Sequence, residues 1–425
     1  MNIVKTNHFS KMHNLYDNAT KTDEEFFKHR IDPNTPNFAF KRVDTSADQL
    51  RANYSDNKAR FTLKQAGFLG KMFIRHTFKY NPDDYTEEEL TVIRDSLSPE
   101  VGEHIIKKAR LMQQEKEIEE ITPIIINHRI NTQFNNEEIN LQDSIKASND
   151  SNGFGLTFYT PLLFSTGSDV NHMLDLKFLQ TIKLEVDIEN YETLGLEDNI
   201  YHDMELLCHY MTIDDYEGYA MKHYKKPLYL PIENSGIIGG APKNISLGRN
   251  TIQLDNRDLV KFLCARVYDN GDIKKESLFI EDVKITSNNE EIYRAKDNLE
   301  SLLFNNNYRG FVSHRVPQST DVGLIEVNFD IPAYKNGFSG GLNMDELYKD
   351  CNISFNVYQF GGVPSNDLKA VVGYLYYDML KIDTDGTIQK AEVNNTPFLD
   401  EYDYSTEPTK PELPKKEAPP AKVSL

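Results

Sequence analysis

The chain has 425 residues, with 47 Lys plus Arg against 66 Asp plus Glu, for a formal net charge of −19. Its mass is 49.0 kDa and its mean hydropathy −0.57. So acidic a body repels phosphate backbones and argues against a dedicated nucleic-acid binder, while 23 Phe and 23 Tyr exclude the composition of a disordered chain.

At about 150 residues per domain the length suggests about two to three domains. Residues 1–30 carry Lys5, Lys11, Lys21, Lys28 and Arg30 against Asp17, Asp23, Glu24 and Glu25, so the stretch 1–35 reads as a mixed polar arm rather than an arginine-rich one. The opening MNIVKTNHFSKMHN lacks the apolar core of a secretory signal, and no apolar run approaches the ~18 residues of a membrane span. The expectation is a soluble protein made in the cytoplasm. Cys208, Cys264 and Cys351 are far apart, odd in number and without C-x-x-C spacing, which predicts buried, reduced thiols.

From Phe38 onward short β-type runs dominate. FAFKRV (38–43), ARFTL (59–63) and KMFIRHTFKY (71–80) are aromatic and β-branched at period two. In the last run Met72, Ile74, His76 and Phe78 share one face. Residues 98–121 break the pattern and predict a helix. Ser98 is placed as its N-cap, Pro99 fits the first helical position, Glu100 suits the positive end of the dipole, Ile105, Ala109 and Met112 form a stripe, and Pro123 stops it.

Strand patterns resume at 156–164, 178–188, 205–213, 227–233, 258–269, 277–286, 323–332, 352–360 and 370–382, separated by polar Gly- and Asn-rich turns. Many short strands without intervening crossover helices predict an all-β architecture, too large for one sandwich and better divided between two. Prolines 408, 411, 414, 419 and 420 make the end of the chain an extended, core-less tail.

Motifs of catalysis or cofactor binding do not emerge. There is no G-x-G-x-x-G, Walker loop, H-E-x-x-H or G-x-S-x-G. His202 and His209 are seven apart, a spacing that suits a strand as well as a ligand pair. DTDGTIQ (383–389) opens like a calcium loop, but Ile388 stands where Gly is required and Asn394 where Glu is required, so it reads as an Asp-Gly turn. GIIGGAP (236–242) reads as a mobile loop. Asp214 and Asp215 could supply a glycosidase acid and base, but a solvated turn explains them as well, and Tyr216, Tyr219 and Tyr224 read as a packed connector. No catalytic, cofactor-binding or metal-ligating residue is assigned.

Six segments resemble, in order, the double jelly-roll major capsid proteins of nucleocytoplasmic large DNA viruses, virophages and related phages (the PRD1/adenovirus-type lineage). They are KQAGFLGKMFIRHTF (64–78), TFYTPLLFSTGSDVNHMLDLKFLQTIKLEVDIE (157–189), LLCHYMTIDDYEGYAMKHYKKPLYLPIE (206–233), LFIEDVKITSNNEEIYRAKDNLESLLF (278–304), LIEVNFDIPAYKNGFSGGLNMDELYKDCNISFNV (324–357) and AVVGYLYYDMLKIDTDG (370–386). Pro161, Phe164, Gly167, Leu174, Leu176 and Leu179 stand at matching places in the second, and Ser339, Gly340, Asn343 and Asp345 in the fifth. The chain departs from the pattern in its PLLF, in having no Trp, in Asn288-Asn289 where the family has an Asn-Gly turn, and in the segment 98–121.

The resemblance implies two tandem eight-stranded jelly-roll β-sandwiches with a helical insertion in the first. The expected organisation is an arm at 1–35, a first roll at 36–222, a second at 223–397 and a proline-rich tail at 398–425. It also implies a non-enzymatic capsid subunit of the virion, assembled in the host cytoplasm. The subunit would form a homotrimer that tiles an icosahedral shell as a pseudo-hexagonal capsomer. Its partners would be neighbouring capsomers, penton and minor capsid proteins and an internal membrane, with no sequence-specific nucleic-acid binding and no cofactor. Two other readings stay open: a trimeric receptor- or glycan-binding spike, and a tandem jelly-roll glycan hydrolase.

Overall fold

A computed structural model describes residues 38–43, 58–79, 86, 88, 105–126, 129, 148–149, 155–168, 173–189, 201–213, 216–269, 278–288, 290–297, 300, 324–329, 341–344, 350–359 and 367–391. The arm 1–35, the tail 398–425, Ser98, Pro99, Glu100, Asp214, Asp215, Ser339, Gly340, Asp345 and Asn394 lie outside the described residues.

The first half contributes β1 (Phe38–Val43), β2 (Lys58–Thr62), β3 (Phe68–Lys79), β4 (Ile106–Gln113), β5 (Lys116–Ile121), β6 (Ser148–Asn149), β7 (Gly155–Leu162), β8 (Ile182–Ile188) and β9 (Tyr201–Ile213). A four-residue helix α1 (Ser165–Ser168) follows β7, and α2 (Tyr216–His223) follows β9. The second half contributes β10 (Leu228–Ile237), β11 (Lys243–Ile245), β12 (Gly248–Gln253), β13 (Leu259–Asp269), β14 (Leu278–Ser287), β15 (Glu290–Ala295), β16 (Leu324–Asn328), β17 (Leu342–Asn343), β18 (Asn352–Gln359), β19 (Leu368–Ile382) and β20 (Ile388–Lys390).

These strands form four antiparallel sheets. Two belong to the first half, in the orders β1-β9-β3-β7-β6 and β2-β8-β4-β5; two belong to the second, β10-β19-β13-β16 and β12-β18-β14-β15. β11 and β20 pair with β19, and β17 pairs with β13. Setting aside the short strands β6, β11, β17 and β20, each half has eight strands in one repeated order: first-eighth-third-sixth in one sheet, second-seventh-fourth-fifth in the other. That order is the jelly roll, and it occurs twice.

Burial follows the alternation read in the sequence. In β3, Met72, Ile74, His76 and Phe78 are buried. They lie opposite Cys208, Leu206, Met204 and His202 of β9, so the two strands present one inward face. β8 buries Ile182, Leu184, Val186 and Ile188 from the facing sheet. A second core, with Val260, Leu263, Ile285, Ile353, Phe355 and Val372 among its members, fills the second sandwich.

The predicted helix over 98–121 is corrected where the structure describes it: residues 106–121 form the hairpin β4–β5. Its turn is Gln114-Glu115, with Gln114 at φ +57°. Ala109, Leu111 and Gln113 alternate inward on β4, and Ile118 and Ile121 are buried on β5. Strand pairing of β4 with β8 as well as β5 outweighs the helical spacing of Ile105, Ala109 and Met112. The first roll therefore carries no helical insertion within 106–121.

The glycine-rich 236–242 is regular structure over most of its length rather than a loop. β10 runs through Gly236 and Ile237, and a 3₁₀ turn at Ile238–Gly240 leads to β11. A Cβ on Gly236 would lie 2.6 Å from the Tyr374 ring on β19, so that position has room only for glycine unless the ring moves. DTDGTIQ is the β19–β20 turn, closed by Gly386 N–H to Asp383 O (2.9 Å) and Asp383 N–H to Thr387 O (2.9 Å).

Candidate functional site

The geometry concentrates its specific chemistry where the two sandwiches meet. The first core does not stop at the first sandwich: Leu228, Leu230 and Ile232 of β10, Leu380 and Ile382 of β19 and Ile388 of β20 belong to it. Ile124 and Ile125, just past β5, cover Phe262, Cys264 and Leu375 on the second sandwich. A Cβ on Gly373 of β19 would meet Cγ2 of Ile124 at 2.6 Å, so the two elements touch backbone to side chain.

A buried polar network crosses this apolar seam. Arg129 is 2% exposed and Glu119 0%. The Arg129 guanidinium donates to Leu163 O and, at 3.2 Å, to Glu233 O on β10; it lies 3.4 Å from Glu119 Oε1 and 3.5 Å from Glu233 Oε2. The Glu119 carboxylate also accepts from Ser165 N–H (2.5 Å), Thr166 N–H (3.1 Å) and the Thr166 hydroxyl (3.0 Å) of α1. Burial pushes the Glu119 carboxyl above the usual carboxylate range, against the pull of Arg129 and of these three donors. Ser165 Oγ in turn accepts from Glu233 N–H (3.0 Å), and Lys261 of β13 pairs with the Glu233 carboxylate.

Two further bridges fix the register. Asn234 Oδ1 accepts from Glu120 N–H (2.8 Å), and Ser235 Oγ donates to Glu120 O (2.6 Å), joining β10 to β5. At the other end Gln113 Nε2 donates to Gly386 O (2.9 Å) while Gln113 Oε1 accepts from Ile388 N–H (2.6 Å). Gln180 Nε2 reaches Thr387 Oγ1 at 3.0 Å.

The connector behaves as its sequence predicts. Asp175, 4% exposed, caps its own turn through Lys177 N–H (3.1 Å) and accepts from the hydroxyls of Tyr216 (2.9 Å) and Tyr224. Tyr219 meets Phe68 edge-on at 5.7 Å, and Tyr224 stacks on Phe178 at 3.7 Å. The three tyrosines anchor α2 against the first sandwich rather than offering a sugar platform.

The other residues singled out in the sequence fall elsewhere. Cys208, Cys264 and Cys351 are buried and unbridged, with burial pushing the Cys208 thiol up to about 12 and Cys351 to about 11. His202 is buried and turned to His76, while His209 is on the opposite face of β9 beside Phe73 (6.2 Å), so the two do not converge. Among the described residues no group of three or more His, Cys, Asp or Glu could hold a metal ion. Pro161, Phe164, Leu174, Leu176 and Leu179 are buried in the first sandwich and Asn343 in the second. Sequence reasoning passed over Arg129, Glu119, Gln113 and Glu233. The available signal was polarity at core-facing strand positions, visible for Gln113 and Glu119 only once β4 and β5 are read as strands.

Neither a family model nor a curated protein matches the sequence. Solved structures do. The crystal structure of PBCV-1 VP54 fitted into a reconstruction of the virophage Sputnik superimposes with a TM-score of 0.64 at 13% identity, covering 84% of this chain and 97% of that one. The quasi-atomic PBCV-1 virus capsid gives 0.63 at 13% identity with the same coverage. The Faustovirus major capsid protein gives 0.58 at 10% identity, over 80% of this chain and 90% of that one. With two complete jelly rolls in tandem and near full-length superposition on these proteins, this chain has the double jelly-roll fold of viral major capsid proteins.

Proposed function

We propose that this chain is a major capsid protein, acting as a homotrimer whose six jelly rolls form a pseudo-hexagonal tile of an icosahedral shell. The observation that carries the reading is the locked seam: the first roll's core extends onto β10, β19 and β20 of the second, and Arg129, Glu119 and Glu233 clamp the join. A tile needs its two rolls held at a fixed relation, because three copies approximate sixfold geometry only if each presents two equivalent, rigidly placed edges. An enzyme or ligand-binding module would instead place its buried polar groups around a cavity open to a substrate. Here the Arg129–Glu119–Glu233 network joins the halves, which supports a structural, non-enzymatic role.

The first roll spans 36–222 and the second 223–397, with 1–35 and 398–425 as arms that dock on neighbours, minor capsid proteins or a membrane beneath the shell. The location is the virion, after assembly in the host cytoplasm. Native mass spectrometry of the purified chain should give about 147 kDa, three times 49.0 kDa. Negative-stain images at high protein concentration should show hexagonal tiles. A monomer at assembly concentrations, or elongated projections that never tile, contradicts the proposal. Deleting residues 1–35 or 398–425 should lower particle yield or stability; particles of normal yield and stability would remove that arm from the scheme.

A further inference from the structure

The first sandwich carries a polar pair inside its apolar core. His76 on β3 and His202 on β9 are 0% and 1% exposed. Nδ1 of His76 lies 3.0 Å from Nε2 of His202, and Nε2 of His76 lies 3.2 Å from Oγ1 of Thr160 on β7. The two imidazoles stack with centroids 5.2 Å apart, and Phe78 stacks on His202 at 4.5 Å. The pair thus ties together the three central strands of one sheet.

Neutral rings satisfy this geometry. One ring donates its N–H to the other's lone pair, and the Thr160 hydroxyl completes the chain. A proton added to His76 puts a charge in the core, and a second one on His202 sets N–H against N–H across 3.0 Å. The other titratable groups turned into this core from β9 are Cys208 and Tyr210, both held uncharged by burial. β3, β7 and the opposed strands β2, β8, β4 and β5 turn inward apolar residues together with Thr160 and Gln113. Glu119 at the edge of β5 is engaged by Arg129 and α1. Asp175 is held by Tyr216 and Tyr224, and His223 packs on Tyr219. On the outer face of β3 and β9, Arg75 pairs with Glu205 (2.8 Å) and Lys79 with Asp203 (3.2 Å). No carboxylate among the described residues is turned to His76.

We propose that the His76–His202 pair makes the first sandwich an acid-sensitive element, which takes up protons and loosens at mildly acidic pH while the second sandwich holds. The described strands β10–β20 contain no histidine, so no such pair occurs among the described residues of the second sandwich. Burial lowers His76 to about 3 and His202 well below its ordinary 6.5. The sign follows: the unfolded chain binds these protons first, so the stabilisation is complete above pH 6.5 and is lost as pH falls. Each histidine then shifts the unfolding equilibrium about tenfold per pH unit below 6.5, or about thirtyfold by pH 5. Loosening of an assembled shell in acid would rest on the capsid reading; the behaviour of the pair itself needs only the purified chain.

The test follows the full chain from pH 7.5 to 4.5 by hydrogen–deuterium exchange, corrected for intrinsic rates, and by urea unfolding read from tyrosine fluorescence. The expected result is loss of protection in β3, β7 and β9 near pH 5 with β13 and β19 still protected, and a flattened pH dependence in the double variant H76L/H202F. Equal pH dependence in that variant, or simultaneous loss of protection in both sandwiches, overturns the proposal. If the variant does not fold, deuterium exchange at the imidazole C2–H of the unmodified chain decides. His76 should show no titration above pH 5, and a midpoint near 6.5 overturns the inference.

Discussion

Arg129 shows how a single side chain can hold two sandwiches at one setting. Its guanidinium touches Glu119 and Leu163 on one side and Glu233 on the other, almost wholly out of water. A buried ion pair contributes little net stability over well-packed hydrophobes, but breaking one leaves an uncompensated buried charge. Arg129→Met should therefore cost about 3–5 kcal/mol in urea unfolding, and adding Glu119→Gln should recover part of the loss. A cost below about 1 kcal/mol would show that the network is incidental. Gly386 is the second such residue. At φ +80°, a Cβ there would sit 2.5 Å from Phe178 O in the other sandwich. Gly386→Ala combines left-handed strain with that collision and should destabilise by about 1–3 kcal/mol, measured as a lowered calorimetric Tm. Neither role was legible beforehand. Arg129 sits in a stretch without strand periodicity, and Gly386 looked like an ordinary turn glycine, since nothing local encodes what a turn will be pressed against.

At the scale of elements, the strands with uninterrupted alternation were legible. FAFKRV is β1 to the residue, and the longest run, β19, differs from its reading only by the two residues 368 and 369. The hairpin β4–β5 was not. Lys, Glu and Gln dominate it and favour helix, and register shifts at Ile106/Lys108 and Leu111/Met112 break the period of two. Gln113 and Glu119 further blur the pattern: Gln113 bonds β20 of the second sandwich, and Glu119 holds α1 and the Arg129 that reaches Glu233. The sequence therefore looks least strand-like where it serves the seam. The turn offers a check. Gln114 adopts φ +57°, a left-handed conformation costly for glutamine. Gln114→Gly should stabilise the chain by about 0.5–1 kcal/mol, less the exposed contact to Gln180, in the same urea assay. Destabilisation would mean that the hairpin turn is not as described.

For the whole molecule, the charge of −19 opposes the association of copies that the proposed tile requires. Raising salt from ~0.1 M to ~1 M shortens the screening length from about 10 Å to about 3 Å, so assembly followed by light scattering should accelerate with salt. A rate that falls with salt would mean that complementary charge, not repulsion, governs the contacts. Jelly-roll architecture was legible at this scale because resemblance and alternation point the same way. The reach of the first core onto β10, β19 and β20 was not, because contacts between residues as distant as Gln113 and Ile388 leave no local trace. That reach bears on how the protein is made. Ile388 closes a core begun at Ala59, so a nascent chain leaving the ribosome must carry its N-terminal half unfinished until almost the last strand emerges. Translated alone, residues 1–222 should precipitate, and supplying 223–425 in the same cell should rescue their solubility; the unit of biosynthesis would then be the entire polypeptide, never its half.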